Sequence, residues 1–159
     1  MLSLEGGIMT KLTHRLFNDV LFKLLFVRHP ELLKRLVAAI LGIRVDDIKQ
    51  FEITNVEIPP EALGEKFCRL DINVLCNGIK INLEVQDKKE WGYPERILYL
   101  WGRLYSGSLF TGDSYKILPR VIVISIVDSQ MFGCKEYRSE FRPLEANRHE
   151  LLSDRLVML

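Results

Sequence analysis

Apolar positions recur along this chain in two rhythms, and the changes between them mark its elements. From Lys11 to Phe26, Leu12, Phe17, Val20, Leu21, Leu24 and Leu25 return at helical spacing. "PELLKRLVAAILG" continues as a second helix, with His29 in the N-cap region, Pro30 at its first turn and Gly42 placed to close it. "FEITNVEI" then reads as a strand ended by Pro59-Pro60. Phe67 to Gln86 reads as a hairpin, because two strand-like runs flank Asn77-Gly78, the dipeptide suited to a two-residue type I′ turn. After the loop "DKKEWGYP", a third helix is predicted from Glu95 to about Leu109. Ile97, Leu98, Trp101, Leu104 and Tyr105 form its apolar stripe, and Arg96, Tyr99 and Arg103 lie along one side. "ILPRVIVISIV" (Ile117 to Val127) is apolar on both faces, as a strand in the middle of a sheet should be.

The tail is less regular. "EYRSEFRPLE" is a candidate short strand. "NRHELLSDRLVML" begins like an amphipathic helix and ends with Val157, Met158 and Leu159 lacking a partner. The expectation is a chain truncated at its C-terminus whose tail frays or self-associates. The order ααβββαβ, a meander followed by a crossover helix and a further strand, implies an α/β sandwich around a mixed sheet. Residues 1–10, with Gly6-Gly7 and a second methionine at Met9, read as a disordered lead, and residues 11–159 as one domain.

Composition narrows the class without naming a chemistry. The 159 residues are 48% hydrophobic and 27% charged, with mean hydropathy near zero, as in ordinary soluble domains. No apolar run approaches the ~18–20 residues that span a bilayer, and the N-terminus lacks the basic and long apolar regions of a signal peptide. Cys68, Cys76 and Cys134 show no CxxC spacing and read as reduced thiols of a cytoplasmic protein with no membrane partner. His14, His29 and His149 show no zinc-ligand spacing. A net charge of +1 supplies no global attraction for nucleic acid, so any DNA contact must rest on a local basic patch.

The hairpin is where chemistry enters. In its second strand Ile81, Leu83 and Val85 face one way, and Lys80, Asn82, Glu84, Gln86 and Lys88 the other. The turn register places Asp71 opposite Glu84, Arg69 opposite Gln86 and Asn73 opposite Asn82. Like charges directly opposed cost about 0.2–1 kcal/mol. Two readings stay open at this level. The row is a solvated polar face, with Arg69 diagonal to Glu84 as its counterion. Or the carboxylates are held together to share a hard divalent cation, which takes oxygen ligands and leaves positions for phosphate oxygens.

D-x12-E-x-Q on such a hairpin, followed by "YPERILYLWGRLYSGSLFTGDSYKILPRVIVISI", resembles the PD-(D/E)xK nuclease superfamily, specifically its recombination-promoting nuclease and putative transposase branch. "FNDVLFKLLF" is similar to that branch's Asp-x-x-Phe-Lys-x-x-Phe helix. "RLDI", "LEVQ", the Arg96-x-x-Tyr99 spacing and "GDSYKILPRVIVISI" follow in the branch's order, over roughly Thr13 to Leu156. The resemblance implies a restriction-endonuclease-like αβββαβ core, a mixed central sheet flanked by helices. It implies a DNA endonuclease of recombination or transposition that uses Mg²⁺ or Mn²⁺, with DNA as partner and a homodimer as an option.

Carried over by position, Asp71 matches the first acid and Glu84 the second, Gln86 stands where the superfamily has lysine, and Asp19 matches an additional acid aimed at the same metal. Asp19 reads equally as an i, i+4 ion pair with Lys23, worth about 0.3–0.5 kcal/mol. Gln86 can position a water or phosphate oxygen but supplies neither charge nor base. Lys88, Lys23 or the ion's own water could take that role. Arg96 and Tyr99 either contact phosphate and order the site, or snorkel and cap the core. The alternative function is a catalytically inactive, truncated remnant serving as a DNA-binding or subunit-interaction module.

Overall fold

Helices α1 (Asp19–Arg28) and α2 (Pro30–Leu41) are joined through a single residue, His29, which caps α2 ahead of Pro30. The computed structural model describes residues 19–54, 72–86 and 90–159, without the side chains of 19–21, 23 and 24. α1 runs to Arg28, two residues past Phe26, and the predicted helical residues 11–18 lie outside the described ones. Gly42 ends α2 at φ 68°, the left-handed conformation glycine adopts without strain, and the Ile43 N–H reaches Ala38 O at 3.0 Å.

Strands β1 (Phe51–Ile53), β2 (Ile72–Cys76) and β3 (Ile79–Gln86) form the expected antiparallel meander. Asn77 and Gly78 have φ of 49° and 79°, both positive, as a type I′ turn requires. The Asn77 side chain also ties the hairpin to the preceding connection. Its Oδ1 accepts from the Lys49 and Gln50 N–H groups at 2.9 and 3.0 Å, and its Nδ2 donates to Asp47 O at 3.0 Å. After helix α3 (Tyr93–Ser106), β4 (Val121–Val127) lies parallel to β3, the geometry a crossover helix permits. The sheet order is β1-β2-β3-β4-β5, with β5 formed by Leu156–Met158.

Alternation along the strands feeds two cores. Ile72, Val74, Ile81, Leu83, Ile122, Ile124 and Val157 pack with Phe22, Leu33 and Val37 of α1 and α2. On the opposite face Val123 and Met158 pack with Tyr93, Ile97 and Leu100 of α3. The α/β sandwich with a mixed sheet is therefore the architecture of the chain.

Three expectations need correction. The α3 stripe included Leu98, which is 53% exposed, and omitted Leu100, which is buried. The helix starts at Tyr93 rather than Glu95, and its buried side runs Tyr93, Ile97, Leu100 at i, i+4, i+7. The strand predicted from Ile117 begins only at Val121. Tyr115–Ile117 is a single 3-10 turn, with Ser114 Oγ accepting from the Lys116 N–H at 3.3 Å.

The third correction is the tail. No described residue after Asn147 is helical, and the apolar end is covered: Val157 and Met158 are 2% and 8% exposed in β5, parallel to β4. β4 would otherwise offer a row of unpaired backbone groups, and the tail satisfies it. Val121 N–H donates to Arg155 O at 2.9 Å, Leu159 N–H to Val123 O at 2.9 Å and Ser125 N–H to Leu159 O at 2.8 Å. An open edge beside a buried strand is a stronger attractor than a short helix with no face to cover. "EYRSEFRPLE" contributes only isolated bridges, Phe141 to Met158 and Leu144 to Leu151. Among the described residues no helix is long and apolar enough to cross a membrane.

Candidate active site

The polar row of the hairpin is not solvated. Glu84 is 1% exposed, Asn82 0% and Asn73 5%, because α3 lies over the face of the sheet that carries them. The solvated-face reading therefore fails for these three residues. Register is as the sequence predicted wherever it is described: Ile72 pairs with Leu83 and Asn73 with Asn82. Asn82 Nδ2 donates to Asn73 Oδ1 at 3.3 Å. Asn82 Oδ1 is buried and has no hydrogen-bond partner among the described residues.

A carboxylate this deeply buried requires a cation or other strong donors nearby. Arg96, in the first turn of α3, supplies one: its Nη2 donates to Glu84 Oε2 at 3.1 Å. The same guanidinium reaches outward, with Nη1 donating to Glu90 Oε2 at 3.1 Å. Burial alone would lower the Arg96 pKa, but the charge of Glu84 and the hydrogen bond and charge of Glu90 together raise it. The group is therefore a permanent cation. Beneath it lies the Tyr93 ring, 5.9 Å from the guanidinium carbon to the ring centroid. The Tyr93 hydroxyl is in turn hydrogen-bonded to Ser125 Oγ at 2.6 Å. Ser125 is the β4 residue in register with Glu84, so strand pairing and helix packing converge on one carboxylate.

Gln86 continues the row, half-buried, in register with Val127, and its carbonyl accepts from the Asp128 N–H at 3.0 Å. Tyr99 is 41% exposed on α3, one turn beyond Arg96. Asp71, Arg69 and Lys88 lie outside the described residues, as do the side chains of Asp19 and Lys23. Asp19 is the first described residue of α1, whose Phe22 packs against the Ile81–Leu83 face of the sheet, opposite Glu84.

The donor chemistry fits a hard cation. A buried carboxylate and, two residues earlier on the same row, a buried amide oxygen without a donor are oxygen ligands of the kind magnesium and manganese take. Among the described residues no group of three or more His, Cys, Asp or Glu could hold a metal. Glu84 is the acid that the described residues bring into this buried row, and the other two acids the family resemblance implies, Asp71 and Asp19, are not described there.

Sequence reasoning did not find the Glu84–Arg96 pair, offering only Arg69, which lies outside the described residues, as a possible counterion of Glu84, and missed Tyr93, Glu90 and Ser125 altogether. For Ser125 a signal existed. It is the one polar residue in "VIVISIV", and a hydroxyl inside a run buried on both faces usually has a partner. Arg96 could not be paired from spacing, because its contact with Glu84 depends on how α3 crosses the sheet.

Neither a curated protein nor a solved structure matches the chain. A family model described as PD-(D/E)XK nuclease family transposase matches residues 16–159. That span takes in both helices ahead of the sheet, the hairpin, α3 and the strands on either side of it. The chain belongs to the PD-(D/E)XK nuclease family transposases.

Proposed function

We propose that this chain is a divalent-metal-dependent DNA endonuclease that hydrolyses phosphodiester bonds during transposition or recombination, with Mg²⁺ or Mn²⁺ as cofactor. The observation that carries the reading is Glu84. It is a carboxylate 1% exposed at the position matching the family's second acid, on a hairpin whose described register, Ile72 with Leu83 and Asn73 with Asn82, is the one from which the sequence expectation for Asp71 follows. Burying a carboxylate is unfavourable without compensating charge, and a divalent ion would supply such charge alongside Arg96. Such an ion, when bound, polarises the scissile phosphate and lowers the pKa of a water nucleophile.

Asp71 and Glu84 would hold the ion, with Asp19 as a third ligand. Gln86, beside Glu84 on the same row, would orient the attacking water or a phosphate oxygen through its amide. Its neutrality leaves the proton to be taken by Lys88, Lys23 or solvent. Arg96 neutralises Glu84 and keeps the row charged yet stable under α3. Plasmid cleavage with Mg²⁺, Mn²⁺, Ca²⁺ or EDTA, comparing wild type with Asp71→Ala, tests this reading. Cleavage in Mg²⁺ or Mn²⁺ that EDTA and Asp71→Ala both abolish is expected. DNA binding without cleavage under every condition would instead favour the inactive module.

A further inference from the structure

Arg96 is held at both ends of its guanidinium by acids in unlike surroundings. Nη2 meets Glu84, which is 1% exposed, and Nη1 meets Glu90, which is 46% exposed, each at 3.1 Å. We infer that Arg96 and the catalytic divalent ion compete for Glu84, and that Glu90 is the seat to which the guanidinium withdraws when the ion binds. The inference rests on the metal-site reading above. It adds a gating cation, Arg96, and its outer anchor, Glu90.

The physical case has three parts. A carboxylate oxygen that accepts a charge-assisted hydrogen bond has less to give a metal ion, and two cations on one carboxylate repel over a few ångströms in a poorly hydrated site. The guanidinium has somewhere to go. Its second hydrogen bond already lies toward solvent, and the Tyr93 ring, fixed through Ser125 Oγ at 2.6 Å, gives it an aromatic surface to move across. The direction of withdrawal is also useful. Outward is where a DNA backbone arrives, and a guanidinium released from Glu84 presents its planar donors to phosphate. Arg96 is then a positioning residue, coupling ion entry to phosphate capture, rather than a group that acts on the reacting atoms.

Mn²⁺ titration calorimetry on the DNA-free protein separates this from a purely structural ion pair. Arg96→Met keeps the apolar stem and removes the competitor, and should bind Mn²⁺ at least about fivefold more tightly than wild type, the lower end of ordinary coupling between ligands. Glu90→Gln removes the outer seat, leaves the guanidinium on Glu84, and should shift Mn²⁺ affinity the opposite way. Because Glu90 is largely exposed, that variant carries the test should Arg96→Met fail to fold. Wild-type binding with both variants unchanged, or weaker binding in Arg96→Met, would overturn the exchange while leaving the metal site standing. No Mn²⁺ binding by the wild type would overturn the metal-site reading and the exchange together.

Discussion

At the scale of single residues, the row that carries the proposed chemistry was legible as a row but not as an environment. Strand alternation placed Asn82, Glu84 and Gln86 on one side, and the Asn77-Gly78 turn set Asn73 across from Asn82. Burial was not legible, because it depends on α3 lying across the sheet, and with it went the choice of counterion. Two substitutions probe this row. Gln86→Lys should fold, bind metal, and retain or raise cleavage, since it supplies the cation the superfamily usually has. A folded, metal-binding variant with no activity would show that the amide has a specific role. Ser125→Ala removes one hydrogen bond from the buried Tyr93 and should cost about 0.5–1.5 kcal/mol in urea denaturation. Its cleavage should fall as well, because the Tyr93 ring beneath Arg96 loses its tether. Unchanged cleavage would mean the ring position does not matter.

At the scale of elements, periodicity was enough for α2, the hairpin and the parallel partner after a crossover. It failed at the tail. Three residues, Leu156–Met158, are too few to carry a strand signal of their own, and they become β5 only because β4 has an unpaired edge. Tertiary context chose the structure there. Val157→Asp tests the correction directly, since Val157 packs in the core shared with α1 and α2. A carboxylate in that position should destabilise the protein by about 3 kcal/mol or more in denaturant unfolding. An unaltered unfolding curve would return the tail to the open, frayed state suggested by its sequence.

At the scale of the molecule, the sandwich separates two tasks. The face under α1 and α2 is continuous apolar core, whereas the face under α3 combines a smaller core with the buried Glu84, Asn82 and Asn73. Stability can therefore be carried mainly by one face while the other bears a buried acid, Glu84, that pure packing would not select. With a net charge of only +1, the DNA recognition proposed for this chain would have to come from local cations, and from an ion if one binds, rather than from long-range attraction. Thermal melting of wild type, Asp71→Asn and Glu84→Gln, each in EDTA and in excess Mn²⁺, tests most directly whether Asp71 and Glu84 hold an ion as proposed. At a ~hundredfold excess over Kd the wild type should gain about 2.7 kcal/mol, roughly 5–10 °C for a domain of this size. Asp71→Asn should melt slightly above wild type in EDTA and lose most of the Mn²⁺ response, and Glu84→Gln should lose that response while melting lower, because Arg96 gives up its buried partner. Melting temperatures that ignore Mn²⁺ in all three proteins would contradict the metal-dependent mechanism.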